Sequence, residues 1–437
     1  MGIEADSKIE EEVQTPREWL EDRRKIGMSR GLEVTYAMLT RLGMPQMAFP
    51  CVHVAGTNGK GTTCVYLANT LSLSGKKTGL FTSPHLCRVE ERIRIDGRPI
   101  NSEQLDKAIH AIRVMSLQEP VLHPTYFETL FLAAMICFKA ASVQRAVIET
   151  GLGGRLDATN VIENPILTII TSISIDHSDF LGDKLTSIAK EKAGIIKKGI
   201  TCITAPQSQA VEKILINKCK EKNAKLIICN EKSLFTIKKN GFEINIPGNE
   251  NYFFSKPSLE GPHQVINAVL AVTALTSVPE LGININDINK GIKSTYWPGR
   301  LEKISTEIVK KHSLKTNDIW LDGGHNIAGA EAIKNWILYR NIKNLILVCG
   351  FLKNKDAKNI LLILKDYIKH IILVPIDNKN SYTLKELKII SDDLELSSYT
   401  KDSIKEALTS SVINSSSKVL VFGSLYLIGE TLKLDNN

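Results

Sequence analysis

The sequence predicts an α/β protein in two unequal parts: a larger unit with a parallel sheet flanked by helices, then a smaller α/β unit. Three observations carry this. Short β-branched runs alternate with longer amphipathic runs along most of the chain, the pattern of parallel strands joined by crossover helices. At 437 residues the chain exceeds one ordinary core, so two domains are expected. Trp297-Pro298-Gly299 interrupts the alternation, and a second strand–helix pattern begins behind it. The expected division is a flexible tail over residues 1–15, a central domain over 16–297 and a C-terminal domain over 298–437.

Each element has its own signal. Pro16 to Lys25 and Gly31 to Leu42 read as helices, the second stopped by Gly43 and Pro45. Cys51 to Ala55 reads as a strand, Thr62 to Leu73 as a helix ended by Gly75, and Thr78 to Thr82 as a strand. A helix over Phe127 to Ala140 and strands over Ala146 to Glu149 and Leu167 to Thr171 follow. The stretch from Gly199 to Pro298 is less regular: a strand at Thr201 to Thr204, a helix at Gln209 to Lys222, a hairpin at Asn240-Gly241, and a helix at Gln264 to Leu275 after the Gly261-Pro262 breaker. Beyond the linker, strands are expected near Ile319 to Asp322, Leu345 to Gly350, Ile371 to Val374 and Val419 to Gly423. Helices begin near Ala328, Ala357, Leu384, Ser403 and Leu425, a Rossmann-like α/β arrangement.

Composition excludes several classes. A 43% hydrophobic and 23% charged chain is globular. The start, with Glu4, Asp6, Glu10, Glu11 and Glu12, is acidic where a secretory signal is basic and apolar, and reads as a solvated tail. The most apolar helix, Phe127 to Phe138, is short and carries Glu128, so no membrane span and a cytoplasmic protein are expected. Eight cysteines without a C-x-x-C pair form neither a disulfide framework nor a zinc site. The net charge of +8 is spread along the chain without aromatic interleaving, which argues against nucleic acid and for small polyanions.

The stretch His53-Val-Ala-Gly-Thr-Asn-Gly-Lys-Gly-Thr-Thr63 carries the chemistry. Strand, glycine turn, lysine, hydroxyl and helix make a phosphate loop, because glycines let backbone N–H groups approach phosphate oxygens and the helix N-terminus adds positive charge. The first unit is therefore P-loop-type, with Gly56, Thr57, Asn58, Gly59, Lys60, Gly61, Thr62 and Thr63 as the expected nucleotide contacts. The spacing departs from the common motif. Only Thr57 and Asn58 separate Gly56 from Gly59-Lys60, and Gly61 follows the lysine. In a parallel sheet the metal ligands belong just beyond strand C-termini. Ser83, Glu149 and His177 occupy three such positions, although a histidine is an unusual ligand for a hard cation.

With these residues assembled, the chain resembles the folylpolyglutamate synthase / dihydrofolate synthase family, within the Mur-type amide ligases. The similarity runs from about Leu32 to the C-terminus. It rests on Gly56-Thr-Asn-Gly-Lys-Gly-Thr62, Thr82-Ser-Pro-His-Leu86, Glu91-Arg-Ile-Arg-Ile95, Phe127-Glu128 and Gly151-Leu-Gly-Gly-Arg-Leu-Asp-Ala-Thr-Asn160. Asp176-His177, Glu191-Lys-Ala-Gly-Ile195, His263-Gln264 with Asn267-Ala268, Pro298-Gly-Arg300, and Asp322 with His325-Asn326 complete the series. Two positions depart from it: Gly324 where alanine is frequent, and Thr150 where an aliphatic residue is common. No residue-by-residue match is found over Gly27 to Glu33, where the family implies a dihydropteroate contact.

The resemblance implies an ATP-dependent ligase acting on a folate or pteroate and L-glutamate. It places Lys60 on the ATP phosphates, Ser83, Glu149 and His177 on two Mg²⁺ ions, and Asn267, Arg300 and Asp322 on the nucleotide. His325 falls near the phosphates. Phe127, Gly153, Gly154, Arg155 and Asp157 fall on the pterin side, and Lys192 matches a lysine carried as a carbamate. The implied chemistry is phosphorylation of the acid to an acyl phosphate and attack by the glutamate amine, with Asp157 and His325 as candidate bases. A monomer is expected, and domain closure completes the ATP site. The same ligase chemistry on another pterin or a peptide-like acid, and a non-catalytic nucleotide switch, remain as alternatives.

Overall fold

Thr15 and Glu18 form a reciprocal capping box that starts the helix Pro16–Asp22. The structure, a computed structural model, describes residues 14–27, 31–231, 233–245, 251–278 and 281–434. Most of the expected tail, over residues 1–13, and positions 28–30 of the Gly27 to Glu33 segment lie outside the described residues.

Eight strands make the first sheet: β1 (Cys51–Ala55), β2 (Thr78–Phe81), β3 (Ile93–Ile95), β4 (Arg98–Pro99), β5 (Arg145–Glu149), β6 (Leu167–Ile170), β7 (Cys202–Thr204) and β8 (Leu226–Ile228). Their order is β4-β3-β2-β5-β1-β6-β7-β8. Only β3 and β4 run antiparallel to their neighbours. β1 is buried along its whole length, as an inner parallel strand covered on both faces must be. Its one polar member, His53, is kept neutral by burial and bonds Thr159 Oγ1 at 2.8 Å through Nε2. Val54 pairs with Glu149 and with Ile169, so β1, β5 and β6 end at one level.

A three-stranded antiparallel sheet follows, β9 (Phe235–Lys238), β10 (Gly241–Asn245) and β11 (Asn251–Ser255). Phe242, Ile244 and Phe254 from it share a core with the helix Pro262–Ser277 and the helix Lys60–Leu73. The second large sheet holds β12 (Arg300–Lys303), β13 (Ile319–Asp322), β14 (Leu345–Cys349), β15 (Ile368–Leu373), β16 (Ser398–Thr400) and β17 (Val419–Phe422), in the order β12-β13-β17-β14-β15-β16. Successive strand residues face opposite sides. Leu347, Cys349, Leu420 and Phe422 therefore enter one core, and Ile346, Val348, Val419 and Val421 enter the other.

The Lys60 helix begins two residues earlier than its apolar pattern suggests, because Gly59 in a left-handed conformation turns the chain directly into it. Helices and strands without a sequence expectation are the helices Ser102–Ser116, Ser178–Leu181, Leu185–Ala193, Ile285–Ser294 and Thr306–Lys311 and the strands β3, β4, β8, β11, β12 and β16. The first of these helices has an Asn101–Gln104 capping box and buries Leu105, Ala108, Ile109 and Ile112. All eight cysteines are free. Among the described residues no helix is long and apolar enough to cross a membrane.

Candidate active site

The loop after β1 requires glycine at two positions. A Cβ on Gly56 (φ +148) would sit 1.8 Å from Thr171 Oγ1, and one on Gly59 (φ +84) would sit 2.2 Å from Asn267 Oδ1. The amides of Thr57 and Asn58 donate to Ser172 O, which fastens the loop to the end of β6. The Lys60 helix then presents its first-turn N–H groups at the mouth of the loop, where an anion satisfies them. Lys60 Nζ lies 3.2 Å from Thr57 O and 4.0 Å from Glu149 Oε1. Thr62 and Thr63 are buried, and Thr63 Oγ1 has no hydrogen-bond partner among the described residues.

Glu149 closes β5 facing that lysine. Burial raises its carboxyl above the ordinary range, while Lys60 and the backbone N–H of Ser83 pull it down. Ser83 N donates to Glu149 Oε2 at 3.0 Å, so the ends of β2 and β5 are joined. His177 stands in a left-handed conformation (φ +54) after β6, and burial lowers its pKa to about 4. Among the described residues no group of three or more His, Cys, Asp or Glu is ready to hold a metal alone. The residues nonetheless fit a magnesium site completed by phosphate and water. Glu149 is a buried carboxylate with one backbone donor, and the hydroxyls of Thr63, Thr150, Thr171 and Ser174 near these strand ends lack partners among the described residues.

Lys192 lies on the helix Leu185–Ala193, buried, with Nζ donating to Gly56 O at 2.6 Å. Burial, and then Lys60, lower its pKa from 10.5 to about 7. Asp176 joins this group to the second sheet. It receives Lys355 Nζ at 2.6 Å and Asn326 Nδ2 at 2.8 Å, with His325 Nε2 3.9 Å away. Desolvation opposes ionisation of Asp176, yet Lys355, His177 and His325 together hold its carboxyl far below the usual range. Asn326 caps the helix Ile327–Tyr339 and exchanges amide bonds with Asn58 of the phosphate loop, at 3.0 and 3.1 Å. His325 Nδ1 is 2.8 Å from Gly323 O, and burial brings its pKa to about 4.

Asn267 packs against Gly59 and bonds Gln264 Oε1 at 2.9 Å. Arg300 and Asp322 are opposed in the β12–β13 register, and Asp322 accepts from Leu301 N and Gly324 N. Phe127 covers Gly151, where a Cβ would lie 2.5 Å from its ring. A Cβ on Gly154 would meet Glu191 O at 2.8 Å, whereas Gly153 has more room. Arg155 turns its guanidinium onto Glu191. Asp157 is committed to structure: it accepts from Leu152 N and from both N and Oγ1 of Thr159. The departures also have local consequences. A Cβ on Gly324 would meet the Phe422 ring at 2.7 Å, and Thr150 Oγ1 is buried without a partner among the described residues.

The sequence reading missed Arg92. Its Nε donates to His85 Nδ1 at 3.0 Å, its guanidinium lies 5.5 Å from the Tyr126 ring centroid, and Arg24 stacks on the same ring at 3.7 Å. Burial keeps His85 neutral, with a pKa of about 4. Arg92 is buried with no carboxylate ion-paired to it among the described residues. An uncompensated buried guanidinium is costly unless an anionic ligand meets it. The Glu91-Arg-Ile-Arg-Ile95 run held the signal, but local pattern does not separate a buried arginine from a solvated one.

Comparisons with known proteins bear on this site. Residues 54–275 match the family model described as Mur ligase middle domain. Residues 304–434 match that of dihydrofolate synthetase, C-terminal domain. A Schizosaccharomyces pombe protein named probable dihydrofolate synthetase is 34% identical over 93% of this chain and 99% of its own. The Bacillus subtilis dihydrofolate synthase/folylpolyglutamate synthase is 33% identical over 96% and 98%. Among solved structures, E. coli FolC in complex with DHPP and ADP superposes with a TM-score of 0.85 at 26% identity, covering 97% of this chain and 98% of that one. A Yersinia pestis bifunctional folylpolyglutamate synthase/dihydrofolate synthase complexed with AMPPNP and Mn ion gives 0.84 at 25%, covering 97% and 99%.

Proposed function

Because the chain belongs to the folylpolyglutamate synthase / dihydrofolate synthase family of ATP-dependent ligases, we propose that it joins the carboxylate of dihydropteroate to the amino group of L-glutamate. ATP and a divalent metal serve the reaction, and the organic substrates are small molecules. Support for dihydropteroate over a folate acceptor comes from the C-terminal match and from the full-length relative bearing that activity's name. Extension of a folate's glutamyl chain is the second reading, favoured by the dual name of the Bacillus subtilis relative.

The observation that carries the proposal is the convergence of Lys60, Ser83, Glu149 and the Asp176-His177 turn at the ends of four parallel strands, with the phosphate loop bonded to Asn326. A carboxylate is a poor electrophile, so the γ-phosphoryl group of ATP is transferred to it and ADP leaves. Lys60 and the first-turn amides of its helix hold the phosphates and stabilise the transferring group. Glu149, Ser83 and His177 would hold two Mg²⁺ ions, which would neutralise phosphate charge when bound. The glutamate amine, once deprotonated, attacks the acyl carbon, the amide forms and phosphate departs. Arg92 anchors a substrate carboxylate. His325 is the remaining candidate to take the amine proton, since its neutral ring keeps one unprotonated nitrogen while Asp157 is committed to Leu152 and Thr159, although a pKa of about 4 makes it a weak base.

Lys192 carries a carbamate in the working enzyme. Its neutral amine nitrogen bonds the carbon of CO₂ and loses one proton to solvent, and Lys60 stabilises the resulting anion. Asn267, Arg300 and Asp322 bind the nucleotide from either side of a hinge at residues 297 and 298. The Phe127, Gly153 and Gly154 surface receives the pterin. The working unit proposed is a monomer.

The test is an acceptor panel with labelled L-glutamate, offering dihydropteroate and tetrahydrofolate separately. ADP release is expected only when glutamate and a pterin acid are both present, with dihydropteroate the faster acceptor. ADP release indifferent to both would overturn the ligase assignment. Preference for tetrahydrofolate would select the second reading.

A further inference from the structure

A cavity of about 340 Å³ opens between the C-terminal ends of the helices Leu185–Ala193 and Gln209–Glu221. Its volume falls at the lower end of the range for small-ligand pockets. Arg155, Lys190, Lys197, Lys198, Lys218 and Lys222 line it, against a single lining carboxylate, Glu163. Six cations around so small a space repel one another.

Lysines often gather at helix C-termini, where the backbone carries about half a negative charge per helix. That accounts for part of the cluster only. Arg155 is paired with Glu191 at 2.9 Å, and Lys218 and Lys222 share Glu221 at 2.7 and 3.8 Å. Lys190, Lys197 and Lys198 have no carboxylate in ion-pair range among the described residues. Lys197 Nζ reaches only the carbonyl of Asn160, at 3.0 Å. It is half-buried; burial lowers its pKa, and Glu163 opposes that shift. Glu163 is itself engaged by the Tyr36 hydroxyl. Buried Ile196 removes water from one wall and strengthens the field inside.

We propose that this cavity is a binding site for a small polyanion bearing several carboxylates or phosphates, distinct from the phosphate loop. Two ammonium groups with no carboxylate in range, Lys190 and Lys198, and a third, Lys197, offset only by Glu163, call for a ligand of more than one charge. The site also abuts the catalytic frame. Arg155 N donates to Glu191 O at 2.8 Å, and Gly194 packs so closely on Arg155 that a Cβ would lie 2.4 Å from it. A bound polyanion would thus brace the Gly154–Arg155 turn against the helix that carries Lys192. Only the choice of a carboxylate probe rests on the function proposed above.

The test is calorimetric titration of the full chain, saturated with ADP to occupy the phosphate loop, at low ionic strength. The probes are γ-linked triglutamate and tripolyphosphate, with acetate as the single-charge control. Saturable binding of at least one polyanion is expected, with none by acetate. Lys190→Gln with Lys198→Gln should weaken it about tenfold or more, and so should added salt that shortens the Debye length. Both lysines are exposed, so circular dichroism and ADP affinity should match the parent; Lys222→Gln is a second, independent variant. Binding of triglutamate alone identifies a carboxylate chain as ligand, and equal or preferential binding of tripolyphosphate identifies a phosphate site. The proposal is overturned if neither polyanion binds the parent, or if all variants bind within twofold of it. No turnover is needed, so failure of ligation in the acceptor panel leaves this result standing.

Discussion

Asp176 Oδ1 and Lys355 Nζ meet at 2.6 Å, joining the turn after β6 to the turn after β14. Their side chains are only 10% and 7% exposed. Two charges so removed from water are stable together because each is paired and Asn326 supplies a further donor to the carboxylate.

Lys355→Met should therefore destabilise the protein by about 3–5 kcal/mol, because it leaves a buried carboxylate without its cation. Adding Asp176→Asn should recover a substantial part of the loss. Urea denaturation of the single and double variants, read as a double-mutant cycle, checks this. Additive losses would show that the contact contributes nothing.

Lys192 gives a pH dependence whose sign follows from its lowered pKa. The unfolded lysine titrates near 10.5 and the folded one near 7. Between these values the unfolded chain holds the extra proton, so this group makes stability rise with pH across that window. Below about 7 the burial penalty on the ammonium is fully present. Lys192→Met should abolish this component, which denaturation at stepped pH would reveal. At fixed dissolved CO₂, the carbamate signal from ¹³C-labelled bicarbonate should rise with pH through 7 and beyond, because each carbamate formed releases a proton, until the lysine is fully converted. A signal falling over that range would remove the carbamate from the mechanism.

Gly59 and Gly75 separate backbone strain from steric clash. Both have positive φ, +84 and +82, but an added Cβ at Gly75 meets nothing within 4 Å. Gly75→Ala should lose about 1–2 kcal/mol of stability with ADP affinity unchanged. Gly59→Ala carries the same strain and also displaces Asn267, so its ADP affinity should fall about tenfold or more. Equal ADP affinities in the two variants would detach Asn267 from the nucleotide.

Glu149→Gln should separate stability from activity. The amide keeps the shape and accepts from Ser83 N, while the desolvated charge is removed. The metal-free protein should melt a few degrees higher. Ligation should drop about 10²–10³-fold, and magnesium should no longer raise the melting temperature. Retention of the magnesium effect would place the metal on other residues.

Much of this was readable where local and tertiary demands coincide. β1, β13 and β14 are inner parallel strands, and such strands are written as continuous apolar runs. β12, Arg300-Leu-Glu-Lys303, has no such run and exists only through pairing with β13 and the bond from Leu301 N to Asp322. The helix Ile285–Ser294 had its apolar spacing at Ile285, Ile288 and Ile292, obscured by Asn and Gly between. Lys60, Ser83, Glu149 and His177 could be proposed from the sequence because they lie at or beyond strand ends. Lys355 and Arg92 could not. Lys355 sits in Asn354-Lys-Asp356, indistinguishable from a solvated loop, and its burial comes from residues nearly two hundred positions away.

The paired amides of Asn58 and Asn326 have a kinetic consequence. If ADP leaves between the phosphate loop and the turn before the helix Ile327–Tyr339, which these side chains hold together, its escape rate is tied to how often they part. Both groups are uncharged, which makes that parting insensitive to ionic strength, and the neighbouring Asp176–Lys355 contact is buried enough that salt screens it little. A cleft latched by one salt-resistant clasp and one desolvated ion pair would keep its opening frequency when cellular salt changes. Turnover limited by ADP departure would inherit the same steadiness.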